Sequence, residues 1–129
     1  MIDQATSNLV VSVVVNNAGG GELPMMPYWQ WSLEAEQYTR DLNGTATYRI
    51  TRLFLPKMIL RKQGYILNVG SLASMTNIYL APYGMEKAKI NAFTKFLDAE
   101  LDGTGVTVQC HLFGAIFTEG FSKTFGASG

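Results

Sequence analysis

The sequence predicts an α/β domain: a three-stranded parallel sheet of the doubly wound kind, with two long helices on one face. Two observations predict it. Apolar, strand-like runs alternate with helix-period segments in the order strand, helix, strand, helix, strand. The first run, Leu9 to Val15 (LVVSVVV), is β-branched and apolar on both faces, as buried parallel strands are. Right-handed crossovers then place both helices on the same side of the sheet. The opposite side is left without a helix, which a purely parallel sheet rarely tolerates.

The first strand, Leu9 to Val15, ends at Asn16-Asn17-Ala18-Gly19-Gly20-Gly21, where the glycines permit a tight turn or the close approach of a ligand. Glu22 to Trp31 reads as a loop broken by Pro24 and Pro27. Ser32 is a helix N-cap, with Glu34 and Glu36 in the first turn where the helix dipole favours them. That helix runs to about Lys62, with Leu42, Ala46, Ile50 and Leu53 as its apolar stripe. Asn43-Gly44 and Pro56 are expected irregularities, and Gly64 the cap.

Tyr65 to Gly70 is the second strand, with Ser71 at its carboxyl end and a loop from Leu72 to Pro82. The second helix spans about Tyr83 to Leu101, with Ile90, Phe93, Leu97 and Leu101 facing inward. Asp102-Gly103-Thr104-Gly105 ends it. Val106 to Phe113 is the third strand, and Gly114 to Gly129 is irregular.

Bulk properties narrow the function. A chain of 129 residues, 47% apolar, can bury one core. Ten basic residues balance ten acidic ones, which argues against a nucleic-acid partner. With one cysteine, Cys110, and one histidine, His111, neither an intrachain disulfide nor a structural zinc site is expected, and no metal site is assigned. The first residues lack the basic region of a signal peptide, and no apolar run reaches the roughly 18 residues of a membrane span.

Ligands of open α/β sheets bind beyond the carboxyl ends of the strands. Asn16 to Gly21, Ser71 and Phe113-Gly114 all fall there. Tyr83 and Lys87 lie four apart on one helix face. A phenol is a poor base near neutrality, with an ordinary pKa of about 10. A nearby ammonium lowers that value, so Tyr83 with Lys87 makes a sensible acid/base pair. Ser71 could bond the same substrate oxygen. Alone, a Tyr-x-x-x-Lys spacing is a weak signal.

The ordered set is stronger. Asn16-Asn17-Ala18-Gly19, Asn43 in the following helix, Ile66-Leu67-Asn68-Val69-Gly70-Ser71, and Tyr83 with Lys87 come in sequence. With Gly105-Val106-Thr107-Val108-Gln109, they resemble the short-chain dehydrogenase/reductase family over roughly Leu9 to Thr118. The resemblance implies a partial Rossmann fold and hydride transfer between NADP or NAD and a small carbonyl or alcohol. It implies Tyr83 as general acid, Lys87 as the group that lowers the phenol pKa and binds the nicotinamide ribose, and Ser71 as the orienter of the substrate oxygen. Asn43 would hold a relay water. Asn17, Ala18 and Gly19 would line the cofactor, and Thr118 would sit near its carboxamide or phosphates.

LFLPKMILRKQGYILNVGS and GTGVTVQC resemble the branch of 17-beta-hydroxysteroid dehydrogenases and very-long-chain 3-oxoacyl-CoA reductases. Steroids or fatty acyl-CoA thioesters are the substrates that branch implies. A cytoplasmic or endoplasmic-reticulum setting would follow for a longer form.

Departures from the family pattern are plain. Its Thr-Gly-x-x-x-Gly-x-Gly turn, which receives the pyrophosphate at a helix N-terminus, does not occur. Phe113-Gly114 stands where the family has Pro-Gly. The chain therefore reads as the carboxyl-terminal catalytic part of a Rossmann-type domain, residues 1–129. The alternative is a non-catalytic interaction module that keeps the two helices as a homo-oligomer surface.

Other features have simpler readings. Asn43-Gly44-Thr45 matches a glycosylation acceptor but lies inside a helix. His111 is an ordinary strand residue and Cys110 a core one. Trp29, Trp31, Met25 and Met26 pack a loop or contact an apolar substrate or a partner. Arg49, Arg52, Arg61 and Lys62 form a solvated helix face. Val10 to Val15, at a sheet edge, is an aggregation-prone segment.

Overall fold

The computed structural model describes residues 2–21, 23–76 and 79–116. Three strands, β1 (Val13–Asn16), β2 (Gly64–Ser71) and β3 (Val106–Phe113), form one parallel sheet in the order β1-β2-β3. Four helices accompany them: α1 (Ile2–Thr6), α2 (Leu33–Arg40), α3 (Ala46–Arg61) and α4 (Ala81–Glu100). The short α1 has no counterpart in the sequence pattern. It buries no side chain, so it leaves no apolar periodicity to read.

Side chains alternate across the sheet. Val14, Ile66 and Val108 lie in register and are buried together. Phe54 and Met58 from α3 and Leu97 from α4 close over them, with Leu101 and Val106, to make the core. Both long helices thus cover one face, as expected. On the other face, Val13 and Val15 remain 57% and 54% exposed.

The first strand is shorter than its apolar run. Leu9 and Val10 are exposed, and pairing starts where the Tyr65 amide donates to the Ser12 carbonyl (2.9 Å). Apolar composition extends past the point where a partner strand is available. Arg61, expected in solvent, donates to the Val11 carbonyl at 2.7 Å and anchors this approach.

The long helix from Leu33 to Arg61 is interrupted by one π-helical turn, Asp41–Thr45, at the expected Asn43-Gly44 irregularity. Ser32 caps its start, accepting from the Ala35 amide (3.1 Å). Pro56 lies inside α3 without ending it. The inward face differs from the expected one. Leu42, Ala46, Ile50 and Leu53 are only half-buried, while Asn43, Thr47, Thr51, Phe54 and Met58 are buried. Hydrophobic periodicity placed the stripe to one side because Asn43, Thr47 and Thr51 on the true face are polar, Asn43 and Thr51 being hydrogen-bonded there.

Gly64 is not the cap of this helix. Lys62 takes the left-handed conformation there (φ 54), and Gly64 opens β2. The glycine is required by packing instead: a Cβ would stand 2.6 Å from Met58 Cγ and Sδ. The second helix starts at Ala81, two residues before the expected Tyr83, with Pro82 in its first turn.

Candidate active site

A buried polar ladder underlies the carboxyl end of the sheet. Asn16 Nδ2 donates to Thr51 Oγ1 on α3 (3.1 Å) and to Asn68 Oδ1 on β2 (2.8 Å). Asn68 Nδ2 donates to Thr94 Oγ1 on α4 (2.9 Å), and the Thr94 hydroxyl donates to the Ile90 carbonyl (2.8 Å). Each of these buried groups has a partner, as buried polar groups must. The ladder joins both strands to both helices just below the loops. Its sequence signal was an asparagine in each of two otherwise apolar strands.

Above it, Ser71 ends β2 and caps the 3-10 turn Leu72–Ser74, its Oγ accepting from the Ala73 amide (3.1 Å). The Ser71 hydroxyl also lies near the Tyr83 hydroxyl. Burial pushes the Tyr83 phenol above its ordinary range, and the nearby Ser71 hydroxyl partly opposes this. Lys87 is 3% exposed; its Nζ donates to the Val69 carbonyl at 3.0 Å and lies 5.7 Å from the Tyr83 ring centroid. Burial pulls the Lys87 ammonium below its ordinary range, with Cys110 acting in the opposite sense. The net direction for the phenol is thus opposite to the lowering expected from Lys87. The ammonium faces the ring and the Val69 carbonyl, so desolvation of Tyr83 dominates. Burial therefore favours the protonated phenol.

The loop after β1 closes the other side. Asn43, fully buried in the π-turn, accepts from the Gly20 amide (2.8 Å) and donates to the Gly20 carbonyl (3.1 Å) and the Thr39 carbonyl (3.0 Å). Gly19 sits where a Cβ would be 2.8 Å from Asn43 Oδ1 and 3.0 Å from Lys87 Nζ. Asn17 and Ala18 are exposed beside it. Asn43, Ser71, Tyr83, Lys87 and Asn17 to Gly19 are thus brought to one end of the sheet, while Thr118 lies outside the described residues. Cys110, half-buried, is on the same side of the sheet as Asn68; His111 is exposed on the other. A cavity of about 620 Å³ lined by Asp98, Asp102, Gly105 and Thr107 lies at the amino end of β3, away from these groups.

Glu86 was not singled out by the sequence. It is 1% exposed, next to Lys87, with its Oε1 held by Lys89 and facing Arg40 Nε at 4.0 Å. Among the described residues, no helix is long and apolar enough to cross a membrane.

Comparison with known proteins agrees with this geometry. The chain matches the short chain dehydrogenase family over residues 2–127. It is 32% identical over 110 residues to a very-long-chain 3-oxoacyl-CoA reductase of Phaeosphaeria nodorum, covering 84% of this chain and 32% of that one. It is 35% identical over 113 residues to a 3-oxoacyl-acyl-carrier-protein reductase of Vibrio cholerae, covering 84% of this chain and 44% of the relative. The chain thus spans less than half of these relatives' length, 32% of one and 44% of the other. A short-chain dehydrogenase of Sphingobium yanoikuyae, solved in complex with NADPH, superposes with a TM-score of 0.84 at 25% identity, covering 94% of this chain and 47% of the other. The chain belongs to the short-chain dehydrogenase family of oxidoreductases, and its sheet and helices are part of that family's Rossmann-type NAD(P)-binding fold.

Proposed function

We propose that this chain carries the catalytic centre of an NAD(P)-dependent carbonyl reductase whose substrate is a 3-oxoacyl thioester. The observation behind it is the meeting of Ser71, Tyr83 and Lys87 at one strand end, with the Ser71 hydroxyl beside the phenol and Lys87 facing its ring. The substrate class rests on the relatives, two of which act on 3-oxoacyl groups by name. The named relatives favour a 3-oxoacyl group over a steroid, the other substrate class that the branch implies.

The residues present fit the nicotinamide end of the cofactor. An ammonium offers three donors, and the Val69 carbonyl takes one of Lys87's. With the Tyr83 hydroxyl and the missing side chain at Gly19, this is a donor set suited to vicinal ribose hydroxyls. Lys87, Tyr83 and Asn17 to Gly19 would hold it. When bound, the nicotinamide supplies the hydride.

The chain's own groups then divide the remaining work. Ser71 holds the substrate carbonyl oxygen toward Tyr83. The Tyr83 hydroxyl gives its proton to that oxygen as negative charge develops there. The Lys87 ammonium, on the ring's side, stabilises the phenolate left behind. The Asn43 side chain is already bonded to Gly20 and Thr39, so its part is to shape the cofactor loop rather than to hold a relay water.

The test is NADPH-dependent reduction of a 3-oxoacyl-CoA by the chain and by Tyr83→Phe. A loss of about 10²- to 10⁴-fold is expected on removing the proton donor. An unchanged rate in Tyr83→Phe sinks the assignment. A second reading, a partner-binding module, is favoured by the exposed Val13 and Val15. It gains if fluorescence titration finds no NADPH binding at millimolar cofactor.

A further inference from the structure

Consecutive residues leave a helix about 100° apart. Lys87 therefore points to the sheet end while Glu86, just before it, points to the π-turn. Both are buried. The Glu86 carboxylate is held unequally. Oε1 takes Lys89 and faces Arg40, which is itself bonded to Glu36 (2.6 Å). Oε2 is buried with no hydrogen-bond partner among the described residues. It presses on Gly44, where any Cβ would collide with it.

A buried carboxylate oxygen without a partner is costly, and a hydrophobic side chain would fill this space more cheaply. Gly44 is the neighbour of Asn43, and Asn43 grips both the amide and the carbonyl of Gly20. The π-turn replaces the ordinary helical ladder with a longer bond, from the Ala46 amide to the Asp41 carbonyl. Such a turn needs a brace to hold its register.

We propose that Glu86 is a positioning residue. Anchored at Oε1 by Lys89 and Arg40, it bears on Gly44 through Oε2 and sets where Asn43 clamps the Asn17–Gly21 loop beside Lys87. It touches neither substrate nor cofactor. The assignment rests on the reading that this loop lines the nicotinamide cofactor.

Amide hydrogen exchange on the full chain, paired with NADPH titration, tests it. Gly44→Ala forces the added methyl against Glu86. The Gly20 amide should then exchange about tenfold faster, the change expected for loss of one hydrogen bond. Amides of Ile66 and Val108 should not change, which separates a moved loop from general destabilisation. NADPH binding should weaken in step. Adding Glu86→Ser to Gly44→Ala removes the collision and should restore Gly20 protection. Adding Glu86→Gln, which fills the same space, should not. If Gly44→Ala does not fold, Glu86→Ser alone should speed Gly20 exchange and spare the core.

Equal Gly20 exchange in the two double variants overturns the proposal, as does an unchanged Gly20 in Gly44→Ala. The expected exchange pattern in a chain that binds no NADPH supports the brace and overturns the cofactor reading instead.

Discussion

Lys87→Met should make the fold more stable while removing cofactor binding. The Lys87 ammonium is almost wholly buried and has the Val69 carbonyl as its acceptor. Burying such an ion costs several kcal/mol even after relaxation. One charge-assisted hydrogen bond returns about 1.5–3 kcal/mol. Methionine has similar length and no charge to desolvate. The balance favours the variant by about 1–2 kcal/mol at pH 7, or a Tm increase of roughly 4–8 °C.

The pH dependence has a definite sign. Burial lowers the Lys87 pKa from 10.5 in the fold. Between the folded and unfolded values the unfolded chain binds more protons, so wild-type stability rises with pH there. That contribution is complete above the unfolded value and lost as pH falls through the folded one. The advantage of Lys87→Met should therefore shrink as pH rises from 7 toward 10.5. Tyr83 and Cys110, which also titrate in the alkaline range, are present in both chains and largely cancel in the difference. Urea unfolding of both chains at pH 7 and near pH 10 measures it. A variant less stable than wild type at pH 7, or an advantage that grows with pH, refutes the reasoning.

Three further outcomes are expected. Asn68→Ala removes the acceptor of Asn16 and the donor to Thr94; at about 1 kcal/mol per bond plus a small cavity, it should cost roughly 2–3 kcal/mol in urea unfolding, and a loss within error would mean the ladder is not formed. Val13→Lys with Val15→Thr puts polar groups on the open face of an edge strand; sedimentation should shift toward smaller species at little cost in stability, and unchanged sedimentation would clear that face of a role in association. Because burial raises the Tyr83 phenol above its ordinary value of 10.0, the phenol stays protonated through the neutral range; if Tyr83 is the proton donor, the rate of carbonyl reduction should not fall until pH is about 10, and an earlier alkaline decline would assign the limiting proton to another group.

Much of the architecture was legible in the chain because alternating apolar runs carry strong signals. The three parallel strands, both long helices on one face and the break at Asn43-Gly44 all follow from composition and period. Ser71, Tyr83 and Lys87 were legible as an ordered pattern, and the structure brings them to one place. What escaped has a common cause. Thr51, Asn68 and Thr94 are buried because they are linked through Asn16 in one hydrogen-bonded ladder, and hydrophobic periodicity is blind to that pairing. Glu86 looks like any surface glutamate until Gly44 and Arg40 are placed against it. Gly64 resembled a helix cap, but only the position of Met58 shows why it is glycine. The direction of the Tyr83 shift also needed coordinates. Spacing puts Lys87 on the same helix face, yet it does not say that the ammonium bonds Val69.

The Asn16–Asn68 pair has one more consequence. Side chains in a strand alternate with period two, so sliding β1 by one residue past β2 would turn Asn16 out to the open face and bring a valine against Asn68. Val13, Val14 and Val15 are nearly interchangeable and cannot by themselves oppose such a slide. The amide-to-amide bond can, because a shifted chain forfeits it and strands Asn68 among apolar groups. A run of valines supplies adhesion without alignment; a single asparagine at its end supplies the alignment. The loop from Asn17 to Gly21 begins at the next residue, so its height above the sheet is set to within one residue by that one bond.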